Sequence, residues 1–139
     1  MLKPPGLQPV AGGPICGLWP ENRPEGWPGH ELEGYLSLLD LGQAERTIIP
    51  PEVVYGANWA VRRGALRAVG GFDPEFGWGP DSRIGGEETS VAWRLHQAGI
   101  GLSVYAPEAA VGHRISPGRI DDWYIVQRAL SSGIEWPRI

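Results

Sequence analysis

Two adjacent carboxylates stand at the end of a Gly-rich stretch, in the run Gly85-Gly86-Glu87-Glu88-Thr89. Glycine lets a backbone approach a ligand closely. A carboxylate held at such a point could take a proton from an attacking hydroxyl, the task of a general base. The same acids would serve a plainer end in the first turn of a helix, where they complement its dipole. His113 closes the apolar run Ala109-Ala110-Val111-Gly112-His113. An imidazole there could ligate a divalent metal or bond to a phosphate, or be a satisfied structural residue. Trp78 lies ten residues before Glu88, between Gly77 and Gly79. A flat indole beside carboxylates suits a sugar, whose C–H face packs on the ring while its hydroxyls bond to the acids. Core packing is the ordinary fate of Trp, and it is the reading given to Trp59 and Trp93. Arg62, Arg63, Arg83, Arg114 and Arg119 could pair with a diphosphate or with neighbouring acids, although solvated surface charge accounts for most arginines.

These residues need elements to hold them. Residues 9–16 read as a strand carrying a Gly pair, within a Gly- and Pro-rich, otherwise irregular lead-in over 1–30 whose Trp19 and Trp27 fold back on the core. Leu32, Tyr35, Leu36 and Leu39 have helical spacing, closed by Gly42. Residues 53–61 look strand-like, and a short helix follows at 63–69. The Gly-rich run 76–86 is expected to be irregular. The clearest helix spans 87–98, with Val91, Leu95 and Ala98 on one face and Gly99 after its end. Strands at 101–105 and 109–113 and a last helix from Ser116-Pro117 to about 130 complete the chain. In that helix Ile120, Trp123, Tyr124 and Leu130 are expected inward. Three or four short strands and four helices make an α/β set with a short mixed sheet flanked by helices. The set lacks regular βαβ units and looks like the second part of something larger.

Composition narrows the function classes. The 139 residues fit a single domain. Gly and Pro, 21 and 14 of them, favour long loops, while seven Trp, four Tyr and two Phe argue for a folded core. A net charge of −4 argues against a nucleic-acid binder. One cysteine, Cys16, excludes an internal disulfide and reads as a small buried hydrophobe. No apolar run reaches the roughly 18 residues of a membrane span, and no signal-peptide core opens the chain. A cytoplasmic location, with room for peripheral membrane attachment, is expected.

Order decides more than any single signal. The succession Gly56-Ala57-Asn58, Arg62, Leu66, Gly70-Gly71-Phe72-Asp73, Gly86-Glu87-Glu88, Arg94-Leu95, Ala98-Gly99 and His113 resembles the C-terminal half of family 2 glycosyltransferases. There a "GAN–R–L–GGFDE" stretch precedes a "GGED" helix start, a helix ending "RL…AG", and a strand closing on His. The loop Phe76-Gly77-Trp78-Gly79 is also similar to the "WGWGGED" loop of the galactosyltransferase C-terminal domain. The resemblance covers about residues 9–130 and is densest over 54–114. It implies a partial GT-A fold, that of nucleotide-diphospho-sugar transferases. It also implies an inverting transfer from a nucleotide-sugar donor to a carbohydrate or lipid-linked acceptor hydroxyl, with Mg²⁺ or Mn²⁺. By the same resemblance Glu88 is the base and Glu87 its neighbour. Trp78, Gly86 and Asn58 would lie on the acceptor, and His113 on metal or phosphate.

Two departures qualify it. The usual Asp is here Glu88, similar in acidity (~4.3 against ~3.9) but one methylene longer. The Asp-x-Asp motif that holds metal and diphosphate does not occur, so a complementing N-terminal half is expected to supply the donor site. The chain alone is expected to transfer little or nothing. The rivals are a non-enzymatic carbohydrate-binding module, an inactive truncated transferase, and a glycoside hydrolase using Glu87 and Glu88. Adjacent helix-start residues suit the last poorly, since the required separation across a sugar is about 5–9 Å.

Overall fold

A computed structural model describes residues 8–78 and 83–135, with the side chains of Trp78, Arg83, Ile84, Ile134 and Glu135 outside the description. The chain forms β1 (Val10–Gly12), β2 (Ile15–Leu18), a 3-10 helix His30–Leu36 and β3 (Arg46–Ile48). A 3-10 turn Gly56–Asn58 leads into β4 (Trp59–Val61) and α1 (Arg63–Ala68), followed by the two-residue strands β5 (Gly77–Trp78) and β6 (Arg83–Ile84). Then come α2 (Glu87–Gln97), β7 (Ser103–Tyr105), β8 (Val111–Arg114), a 3-10 turn Pro117–Arg119 and α3 (Asp122–Glu135). The result is mixed α/β, with a small mixed sheet flanked by helices.

The main sheet runs β3-β7-β1-β4. β1 pairs parallel with β7 and antiparallel with β4, and β3 lies antiparallel on the far side of β7. The middle of this sheet is crowded. A Cβ at Gly12 would stand 2.6 Å from the Asn58 carbonyl oxygen and 2.7 Å from the Val54 Cβ, so only glycine admits the close approach. A second, parallel pair joins β2 to β8. β5 and β6 form a third, antiparallel ladder inside the Gly-rich run.

Two apolar clusters lie under these sheets. The first gathers Val10, Ile48, Val54 and Tyr105 from the strand side with Val91 and Leu95 of α2. Those two residues are four apart, hence on one helix face. The Tyr105 hydroxyl, fully buried, accepts from the Leu41 N–H at 3.1 Å, so its polar end is satisfied. The second cluster joins Ile15, Leu36, Leu38, Ile115 and Ile125, with Trp19 and Trp27 packed against it. Trp27 also donates its indole N–H to Asp122 at 2.8 Å, fastening its loop to the start of α3.

Several expectations are corrected. Residues 9–18 provide two strands rather than one, and they take part in two separate sheets. The helix expected through Leu39 is 3-10 and ends at Leu36, because Ser37 turns into the left-handed region (φ 62°). Leu39 instead pairs with Ile15 as an antiparallel bridge. Only Trp59–Val61 of the run 53–61 is strand. The run 76–86 holds a short ladder, although its residues 79–82 lie outside the description. Cys16 is exposed, since β2 turns its side chain away from the core. The last helix divides into a 3-10 turn and α3. Its phase leaves Trp123 and Leu130 each 63 % exposed and puts Ile125 inward. Among the described residues, no helix is long and apolar enough to cross a membrane.

Arg94 clamps α2 to the end of α1. Its guanidinium donates to the Val69 carbonyl and, at 2.8 Å, to the Gly71 carbonyl. A planar fork reaches both acceptors, whereas a lysine ammonium does not match that geometry. Arg94→Lys is therefore expected to lower unfolding free energy by about 1.5–3 kcal/mol, the usual weight of hydrogen bonds to a charged group. Urea denaturation followed by circular dichroism checks it, and a wild-type midpoint would remove the clamp.

Candidate functional site

The start of α2 is set by one backbone conformation. Gly86 sits in the left-handed region (φ 89°, ψ 12°), which an L side chain rarely adopts, and its carbonyl accepts the Ser90 N–H at 2.8 Å. The helix therefore begins abruptly, without a side-chain cap, and Glu87 and Glu88 occupy its first turn. Both acids face an open cleft of about 650 Å³.

Three other parts of the chain close on this cleft. Tyr55, Gly56 and Ala57 come from the approach to β4 and its 3-10 turn, and Glu31, Gly34 and Tyr35 from the 3-10 helix. Arg128 and Ser132 come from α3. Leu39, Leu41, Pro51 and Val53 supply apolar lining, and Glu52 stands among them in an ion pair with Arg46.

The tightest link across the cleft joins two sequence motifs. The Gly56 N–H donates to Glu88 Oε1 at 2.8 Å, across 32 residues of chain. A backbone donor favours the ionised carboxylate and fixes its orientation. Tyr55, one residue earlier, feels the same acid. Its phenol is pushed above the usual tyrosine value, first by burial, then by the Glu88 charge and by Tyr35. The sign is as expected, because a phenolate beside a carboxylate is disfavoured.

Of the residues singled out in the sequence, Glu87, Glu88 and Gly86 line the cleft together. Asn58 serves the scaffold. Its Nδ2 donates to the Pro14 carbonyl at 3.0 Å and to the Ala109 carbonyl at 2.6 Å. Trp78 is described by its backbone alone, in the β5–β6 ladder, so its side chain lies outside the described residues. His113 is on β8, and it is not among the residues that line the cleft. Its Nε2 lies 3.2 Å from an Arg119 guanidinium nitrogen. Burial first, and then that cation, push its imidazole below the usual histidine value. Trp59 packs on Phe72 with ring centroids 5.9 Å apart, and its buried indole N–H has no hydrogen-bond partner among the described residues.

The family resemblance implies a divalent metal. Among the described residues no group of three or more His, Cys, Asp or Glu could hold one. His113 as a single ligand would bring the metal against the Arg119 cation.

Residue-by-residue reading missed Tyr35, Tyr55 and Arg128. A signal existed for Arg128: it lies three residues after the buried Ile125 and four after Tyr124, so it falls on the inner face of α3. An arginine on that face calls for an acid or a ligand.

Removing the Glu88 charge should free Tyr55 of one of its two neighbours in this balance. Glu88→Gln is expected to lower the ionisation midpoint of Tyr55 while burial keeps it above that of a free phenol. The check is the ultraviolet pH titration of each protein minus that of its Tyr55→Phe counterpart. An unmoved midpoint would mean that the carboxylate does not stand beside the phenol.

Compared with protein-family models, with curated proteins and with solved structures, the chain finds no match.

Proposed function

We propose that this chain is the acceptor-side part of an inverting glycosyltransferase of the GT-A type, similar to family 2, with Glu88 as the general base. What supports the reading is one observation. The segments Gly56-Ala57-Asn58 and Gly86-Glu87-Glu88, which carry the resemblance, meet on a single cleft through the 2.8 Å bond from Gly56 to Glu88. The mixed sheet with helices against it agrees in outline with such a fold.

The chemistry follows from the lining. An acceptor alcohol in the cleft places its hydroxyl on the Glu88 carboxylate. As the alcohol oxygen attacks the anomeric carbon, its proton passes to Glu88. The bond between that carbon and the diphosphate oxygen breaks, and its electron pair leaves with the diphosphate. Glu88 then returns its proton to water. Anchoring Oε1 fixes the carboxylate's plane, and fixed geometry is where much of the rate of such a step originates. Glu87, on the same turn, is placed to hold a second hydroxyl of the acceptor. No step is assigned to a metal, and His113 takes no part in the proton transfer.

The lining also favours acceptor over donor. Glu52 is paired with Arg46, and Glu31, Glu87 and Glu88 line the cleft together with Arg128, so negative charge prevails. Such a surface accepts hydroxyl donors and repels a diphosphate.

In a full-length context Glu88→Gln is expected to lower kcat by roughly 10²–10⁴-fold, the usual weight of a positioned base. Donor affinity, measured by calorimetry, should stay close to wild type. A near-normal rate would move the base elsewhere. Sugar binding by the chain that ignores both nucleotide and Glu88→Gln would favour a carbohydrate-binding module instead.

A further inference from the structure

Glycines among the described residues differ in what requires them. Gly70, Gly71 and Gly86 lie at positive φ, where the backbone itself calls for glycine. Gly70 and Gly71 also have open space where a side chain would go. Gly56 is different. It is not among the residues at positive φ, so its backbone would accept an L side chain. What it lacks is room: a Cβ would stand 3.1 Å from Glu88 Oε1 and 3.3 Å from Glu88 Cδ. Gly34 shows the same pattern, since a Cβ there would lie 3.2 Å from the Tyr55 hydroxyl. Both glycines line the cleft, and each leaves space beside a polar group that faces it.

We infer that Gly56 is a positioning residue for Glu88: its N–H seats one carboxylate oxygen, and its missing side chain is the space that the carboxylate occupies. Two properties of one residue thus act on one group. The donor draws Oε1 to 2.8 Å, and the bare Cα allows the whole carboxylate to lie against the turn. The seat belongs to the scaffold because the same turn carries Asn58, whose amide is bonded to two backbone carbonyls from other parts of the chain. A methyl group at residue 56 would push the carboxylate off by a few tenths of an ångström, toward the open side of the cleft.

The seat stands on geometry alone. Its weight in catalysis rests on the reading of Glu88 as base, and the experiment separates the two. In the 139-residue chain the amide proton of Gly56 is followed by ¹H–¹⁵N spectra as pH is lowered through the ionisation of Glu88. The expected result is a shift of that proton with the Glu88 carboxyl midpoint, read by carbon-detected spectra, and no such step in Glu88→Gln. In Gly56→Ala the Glu88 midpoint should rise relative to wild type, because the bond to the ionised form is weakened. Gly64→Ala is the control. Gly64 lies in α1 with nothing near its missing Cβ, so that variant should titrate as wild type does.

A Gly56 amide indifferent to Glu88 ionisation would overturn the seat, and this arm needs no variant at Gly56 to fold. A folded Gly56→Ala with an unmoved Glu88 midpoint would overturn the clearance. In the full-length enzyme Gly56→Ala should lower kcat, by less than the roughly 100-fold that a misplacement of about 1 Å brings. Gly64→Ala should keep the wild-type rate. A moved midpoint with undiminished transfer would leave the seat in place and remove its positioning role, while the base itself stands or falls with Glu88→Gln.

Discussion

The amide of Asn58 is the joint of this molecule. One Nδ2 spans the carbonyl of Pro14, between β1 and β2, and the carbonyl of Ala109, ahead of β8. Each acceptor lies just ahead of a strand, β2 or β8, and those two strands pair with one another, so the amide sits where the two strand systems separate. The residues around it extend the joint. Val54 enters the first apolar cluster, Tyr55 packs on the second, and Gly56 holds Glu88. Within five residues the chain thus touches both cores and the cleft. The Pro14 carbonyl also accepts the Val111 N–H at 3.0 Å, so the Asn58 amide joins a backbone link that is already in place.

The cleft inherits its shape from that arrangement. Its acidic wall depends on Gly86, whose left-handed backbone starts α2 at the point where Glu87 and Glu88 face inward. Its opposite wall depends on the 56–58 turn, held by Asn58. α2 is anchored beneath by Val91 and Leu95 in the first cluster and at its side by Arg94 on the end of α1. A carboxylate with this support keeps its place at small entropic cost, as the general-base role proposed for Glu88 requires.

Much of this was legible in sequence where local pattern decides. The spacing of Val91 and Leu95 marked α2 and its buried face; β7 lies within its expected stretch, and β8 overlaps its own but runs one residue further, to Arg114. The Gly-rich approach to Glu87 also pointed to the cleft. What was not legible depends on partners far away in the chain. Leu32 to Leu39 has a faultless helical period, yet Ser37 breaks the turn and Leu39 pairs with Ile15. Trp123 and Leu130 share a stripe on α3, but the 3-10 turn ahead of it sets the phase, and that stripe faces out. Asn58, read as an acceptor contact from its motif, has its amide turned to backbone carbonyls that no periodicity reveals. The role of His113 was equally hidden, since Arg119 reaches it only through the fold.

Charge gives the last constraint on what the cleft can take. The acids along its wall include Glu52, whose charge is met by Arg46, so Glu31, Glu87 and Glu88 are set against Arg128. Two unit charges of like sign at 4 Å repel by about 4 kcal/mol at an effective dielectric near 20. A phosphate placed beside these acids would meet that repulsion more than once. A neutral ligand rich in hydroxyls would meet the opposite situation, because a hydroxyl can donate to a carboxylate oxygen. This charge balance supports the proposed acceptor-side reading, in which the proton-giving partner enters the cleft and the anionic donor is held by other groups.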